Sequence, residues 1–122
     1  MKIRNIEVDF DFLDADDIER FENEAKRLLN KCDEEAKKDY SSSESIKAQC
    51  RIIEEFIDNV FGEGLSEKIF IKRNNLKEHL EIYEEIIKEK ELENNEIQNK
   101  FGKYQPNREQ RRYDKFNNKG RR

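Results

Sequence analysis

Apolar residues recur at helical spacing in three parts of this chain and alternate with polar residues in one. The densest run is Ala48 to Phe70, AQCRIIEEFIDNVFGEGLSEKIF, where Cys50, Ile53, Ile57 and Val60 fall three and four apart. Ile52, Phe56 and Phe61 widen that stripe to more than half the circumference, which marks a helix at the centre of a fold. Gly62 and Gly64 are expected to stop it, because glycine takes the left-handed geometry that closes a helix end. Leu65, Ile69 and Phe70 then begin a short second apolar segment.

Upstream, Ile6, Val8, Phe10 and Phe12 alternate with Glu7, Asp9 and Asp11, the period of a half-buried strand within an extended segment, residues 1–13. Its pairing edge is either Ile69 to Lys72, a second copy of the chain or a partner, and the pattern does not choose among them. The Asp-rich run Asp9 to Asp17 fails as a calcium loop, since Leu13 or Ile18 occupies a ligand position in either register and the glycine is missing; helix capping is the better reading. Asp16 with Glu19 forms a capping box ahead of Ile18, Phe21, Ala25, Leu28, Cys32 and Ala36, a narrow seam suited to one neighbouring helix. Ser41 with Glu44 makes a second box only a few residues after the first helix fades near Asp39. So short a link predicts an antiparallel hairpin, roughly residues 16–38 and 43–61. Asn75 with Glu78 caps a third helix, residues 75–92, on which Leu76, Leu80, Tyr83 and Ile87 form a stripe with Ile82 and Ile86 beside it. Beyond Ile87 only Leu92 and Ile97 remain to bury, so an exposed, fraying continuation is expected, ended by Pro106. The fold class is therefore mainly α: a small helical bundle built on an antiparallel hairpin, with a short N-terminal β-strand and a disordered basic C-terminal tail. Residues 1–99 read as one helical domain and residues 100–122 as the tail.

Composition sharpens this picture. The 122 residues are 34% hydrophobic and 44% charged, so the core must be thin, and self-association or a partner is expected to help cover it. Leu29, Phe56, Ile82 and Ile86 exceed what a three-helix body easily buries and are candidate partner-binding or oligomer contacts. The net charge of −4 is polarised: from Lys100 onward nine Lys or Arg face only Glu109 and Asp114, a local +7, which leaves −11 on residues 1–99. No run approaches the length needed to span a bilayer, and the N-terminus lacks an apolar signal core, so a soluble intracellular protein is expected. Cys32 and Cys50 both fall on apolar stripes and read as small core residues rather than a disulfide or metal pair.

Catalytic constellations are sparse. His79 is the only histidine, no serine or cysteine is spaced to form a nucleophile pair with it, and a structural or surface role is expected. The adjacent carboxylates Glu54–Glu55 and Glu84–Glu85 read as solvated faces in so Glu-rich a chain. Gly62 and Gly64 lack a third glycine, a preceding strand and a P-loop lysine, which argues against a phosphate cradle. No enzyme activity, metal or cofactor is expected. In the tail, Tyr104, Pro106, Asn107, Arg108, Gln110, Arg111 and Arg112 combine guanidinium forks, amides and a ring, which suits docking to an acidic or phosphate surface. A body at −11 would be repelled by a phosphate backbone, so protein docking is favoured over nucleic acid. A purely solubilising tail is the plain alternative.

The segment KYQPNREQRR, Lys103 to Arg112, resembles the N-R-x-Q-R-R ending found near the C-terminus of many small tail assembly proteins of tailed bacteriophages and prophages. CRIIEEFIDNVFGEGLSEKIF likewise resembles the helix, F-G-E-G turn and K-I-F step of a short phage family from Gram-positive hosts. The likeness is loose over most of the chain and tight over these two segments. It implies a non-enzymatic tail assembly chaperone of long-tailed phages, acting in the host cytoplasm on the tape measure protein and major tail protein and absent from the mature virion. A small phage nucleic-acid-associated protein and a structural helical adaptor of the virion are the alternatives.

Overall fold

The computed structural model describes residues 1–104, in the order β1 (Lys2–Ile3), β2 (Ile6–Glu7), α1 (Ala15–Ala36), α2 (Ser42–Phe61), α3 (Leu65–Ile69) and α4 (Leu76–Tyr104). The chain is mainly helical, with a short two-stranded sheet at its N-terminus. It divides into two units, Met1–Lys90 and the stretch from Glu91 onward, with the boundary inside α4. The core described below belongs to the first unit.

The helical hairpin forms as its pattern predicts. Ser41 caps α2, its hydroxyl accepting from the Glu44 N–H while the Glu44 carboxylate accepts from the Ser41 N–H, so two orphan donors are satisfied reciprocally. Cross-links between α1 and α2 run in opposite sequence directions: Arg20 donates to the Val60 carbonyl, Asn59 to Glu24, and Lys31 pairs with Glu55, which fixes the helices as antiparallel. The cap of α1 differs from expectation. Asp14, not Asp16, is the N-cap and accepts from the Asp17 N–H at 3.0 Å, while Asp17 itself reaches back to the Asp11 N–H at 2.9 Å. The acidic run offers several caps two residues apart. The selected one lets Asp17 tie down the incoming chain as well.

The N-terminal segment does not pair with the Ile69–Lys72 stretch; within the chain it folds back on itself. Ile6–Glu7 pairs antiparallel with Lys2–Ile3 through a two-residue turn in which Arg4 (φ 50°) and Asn5 (φ 68°) both take positive φ. That geometry matches the right-handed twist of a hairpin. Asparagine tolerates it; for arginine it is a strained choice. The Arg4 guanidinium is engaged by Glu85 of α4 at 2.8 Å, a tertiary contact that favours the turn despite the strain. Val8 continues the pairing, its N–H donating to the Met1 carbonyl at 2.8 Å; beyond it the segment keeps its alternation, so Val8, Phe10 and Phe12 are all buried.

At the centre lies α2, with Ala48, Cys50, Ile52, Ile53, Phe56, Ile57 and Val60 all buried. Six rings link the layers around it edge to face: Phe61–Phe10 (4.8 Å between centroids), Phe10–Phe12 (4.8 Å), Phe12–Phe21 (5.3 Å), Phe21–Phe56 (5.4 Å) and Phe56–Tyr83 (5.5 Å). This file joins the extended segment, α1, α2 and α4. It also corrects the expectation that Phe56, Ile82 and Ile86 are surplus surface groups, for their exposures are 2%, 1% and 1%. Phe21 of α1 and Tyr83 of α4 close over Phe56. Of the four candidate contacts only Leu29 stands in solvent, at 62% exposed.

Two substitutions distinguish core from contact surface. Phe56→Ala should destabilise the protein by about 3–5 kcal/mol and Ile53→Asp by at least as much, read by urea unfolding, whereas Leu29→Asp should stay within about 0.5 kcal/mol of the native protein.

Candidate functional site

One polar cluster is built into the core, where α2, the α3–α4 connection and the start of α4 meet. The local sequence places it. Asn75 caps α4, its side chain accepting from the Glu78 N–H at 2.8 Å, and Glu78 accepts from the Lys72 N–H at 2.9 Å, so the connection is folded tightly against the helix it precedes. One turn into α4, His79 is fully enclosed. Its ring lies flat on Phe70, 3.8 Å between centroids and 4° from parallel. Nδ1 is 2.7 Å from the Asn75 carbonyl, and since a carbonyl only accepts, Nδ1 carries a proton. Nε2 is 2.8 Å from Glu54 Oε2 of α2. The Arg73 guanidinium donates to the other oxygen of Glu54 at 3.3 Å and lies 3.8 Å from Glu67.

Sequence reasoning placed His79 as a structural or surface residue, and the structure puts it in the interior. It misjudged Glu54, which is not a solvated face like its neighbour Glu55 but a largely buried carboxylate, its side chain 12% exposed, joined to His79 and Arg73. The signal was present in the spacing: Glu54 stands four residues after Cys50 and three before Ile57, inside the apolar stripe. A carboxylate there needs partners. With both ring nitrogens bonded and no face open, His79 fastens α4 to α2; it offers no surface to a substrate.

A second clamp sits at the glycine turn. Asp58 accepts from the Ser66 N–H at 2.8 Å and from its hydroxyl at 3.0 Å, which sets α3 against the end of α2. Gly62 (φ 143°) and Gly64 (φ 84°) make the turn between them; nothing lies within 4 Å of where a Cβ would stand, so it is the backbone angle and not space that calls for glycine. Cys32 and Cys50 are both free thiols. Burial pushes both up from the ordinary thiol range, with Asp33 adding to the effect at Cys32 and Glu54 at Cys50. Burial likewise raises the Tyr83 phenol, beside Cys32.

Along the outer side of the hairpin, Lys31, Glu34, Lys38, Arg51 and Glu55 line a shallow groove of about 290 Å³. Within it Lys31 pairs with Glu55 and Lys38 with Glu35, whose carboxyl the Lys38 ammonium holds below the usual range. Among the described residues no group of three or more His, Cys, Asp or Glu could hold a metal ion, and no helix is long and apolar enough to cross a membrane. Of the tail candidates, Tyr104 is the last residue of α4, and Pro106, Asn107, Arg108, Gln110, Arg111 and Arg112 lie outside the described residues.

A family model matches residues 4–115, nearly the whole chain. The chain belongs to a family of unknown function, DUF6673. No curated protein and no solved structure matches it. Family membership thus supplies no activity, and any functional reading must rest on the residues themselves.

Removing the enclosed partner tests the clamp. His79→Ala should cost about 3 kcal/mol, because it opens a cavity and strips Glu54 of a hydrogen bond. A surface histidine would cost almost nothing on the same urea curve. Thiol labelling gives a second check. Cys50, at 1% exposed, should react with a small disulfide reagent far more slowly than the half-buried Cys32, and both should become fast in denaturant.

Proposed function

We propose that this protein is a non-enzymatic tail assembly chaperone of a long-tailed phage or prophage, binding the tape measure protein, the major tail protein or both during tail morphogenesis in the host cytoplasm. The observation that carries the reading is the pair of segment likenesses, F-G-E-G with K-I-F and N-R-x-Q-R-R. The first of these corresponds to the centre of the fold: the Gly62–Gly64 turn, the Asp58–Ser66 clamp and Phe70 under His79. Polarity fits the same task. A −11 segment keeps a client complex soluble, and the +7 segment offers arginines to an acidic protein surface. Leu29, exposed on the outer face of α1 among Lys26, Arg27, Asn30 and Asp33, is an apolar contact of the size a helical client could cover.

Co-expression with the tape measure and major tail proteins of the same genome, followed by affinity capture, tests the reading. The chaperone should be captured with at least one of them and be missing from purified virions. Leu29→Asp and, separately, replacement of Arg108, Arg111 and Arg112 by lysine should each lower client affinity by about tenfold while leaving urea unfolding unchanged, since a lysine keeps the charge but loses the planar fork. Stable presence in virions would point instead to a structural adaptor. Binding that goes to DNA and vanishes in moderate salt would point to a nucleic-acid-associated protein.

A further inference from the structure

Both ring nitrogens of His79 face oxygen acceptors, Nδ1 the Asn75 carbonyl at 2.7 Å and Nε2 the Glu54 carboxylate at 2.8 Å, on a ring with no exposed surface. A neutral imidazole carries a single N–H. With that proton on Nδ1, the Nε2 lone pair points at a carboxylate oxygen; with it on Nε2, the Nδ1 lone pair points at a carbonyl. Either tautomer leaves a short contact between two acceptors inside the core, where an unmade hydrogen bond costs most. Only an imidazolium donates to both.

The surroundings suit that cation. From α2 it meets Glu54, with the Cys50 thiol one turn earlier in the same helix. From the α3–α4 connection Arg73 donates to Glu54 Oε1 at 3.3 Å, so both oxygens of Glu54 accept, as those of a carboxylate do. The other arm of the same guanidinium lies 3.8 Å from Glu67 of α3, and on α4 the carboxylate of Glu78 is taken up by the Lys72 N–H. Anion and cation therefore alternate along Glu67, Arg73, Glu54 and His79, and the enclosed charge is paired as a buried charge must be. Phe70, flat against the imidazole, turns the electron-rich face of its ring to the cation.

We propose that this clamp is a proton-operated latch: His79 is an imidazolium in the folded protein, and loss of its second proton frees the first turn of α4 and the α3–α4 connection from α2. Deprotonation removes the Nε2 donor and sets a lone pair against Glu54. An imidazole in an unfolded chain gives up its second proton near about pH 6.5, so above that point the folded chain binds one proton more than the unfolded one. The stability that the latch supplies is complete below about pH 6.5 and is lost as rising pH strips the folded site. Acid closes the latch and alkali opens it. The inference concerns how the fold is held and does not rest on the chaperone reading.

His79 is the only histidine in the chain, so nitrogen NMR of the untagged, isotope-labelled protein reads it without a variant. At about pH 7.5, above the unfolded midpoint, both ring nitrogens should show the shift of protonated nitrogen. A neutral ring at that pH, in either tautomer or with the proton on Glu54 instead, overturns the proposal. Urea unfolding supplies a second reading. Between about pH 6.5 and about pH 8 the folding equilibrium constant should fall by up to tenfold per unit, the slope of one extra bound proton. The Cys32 and Cys50 thiols, raised by burial, add a slope of the same sign only nearer about pH 8.5 and above. Glu54→Gln isolates the latch, since its amide donates to a bare Nε2 while its oxygen still accepts from Arg73. In that variant the ring should be neutral at about pH 7.5 and the slope should be shallower by the same one proton; the N-terminal ammonium, paired with Glu7, is common to both proteins and cancels in the comparison. An imidazolium that persists in Glu54→Gln, or a slope that the substitution leaves unchanged, overturns the proposal. If Glu54→Gln does not fold, the spectrum of the native ring decides alone.

Discussion

Edge-to-face packing of six aromatic rings is the interaction on which the other elements depend. A chain with so few apolar residues cannot afford a core made of separate layers. Here Phe61, Phe10, Phe12, Phe21, Phe56 and Tyr83 pass contact from the end of α2 through the extended segment and α1, back to α2 and across to α4. Each ring pair adds on the order of 0.5–1.5 kcal/mol to the area it hides. More consequential is that one contiguous file ties four parts of the chain into a single cooperative unit. Without Phe10 and Phe12 the hairpin would keep its seam but uncover Phe21, now 2% exposed.

Polar chemistry in this molecule is devoted to holding elements in place. Asp58 grips Ser66, Glu54 grips His79 and Arg73, and Asn75 and Glu78 fold the α3–α4 connection onto its helix. Each clamp sits where the chain changes direction, so backbone groups at turns find partners that a thin apolar core could not offer. The outward faces carry most of the charge, with single apolar groups such as Leu29 among it.

The parts legible in the sequence were those governed by local chemistry. The α2 stripe, the Ser41 and Asn75 caps and the short Ser-rich link announce themselves within a few residues, and the hairpin follows from them. What escaped was decided at a distance. β1 is only two residues long and its turn, Arg4–Asn5, carries no glycine, so nothing local marked it as the partner of Ile6–Glu7; the contact that holds Arg4 comes from Glu85. Phe56, Ile82 and Ile86 looked unpartnered because tertiary cover, such as that of Phe21 and Tyr83 on Phe56, cannot be counted from the periodicity of one helix. Glu54 was lost in a crowd of similar residues, although its place inside the stripe set it apart. At the candidate site, His79 was visible as a singular residue, but its enclosure depended on Phe70 and Glu54 arriving from two other elements.

The same pair, Arg4 and Glu85, has a kinetic meaning. The two residues are 81 positions apart in sequence, while the α1–α2 links span 24 to 40 and the His79–Glu54 bond 25. Each doubling of loop length adds only about 0.6 kcal/mol to the cost of closure, so it is the exposure of the pair, 40% and 51%, rather than its separation that makes the contact weak. A pair so exposed opens readily. The seam between the N-terminal turn and α4 is then a natural point of transient exposure, a hatch that loosens without unfolding the ring-tied centre and that would present Ile3 and the α4 flank to whatever the protein meets in solution.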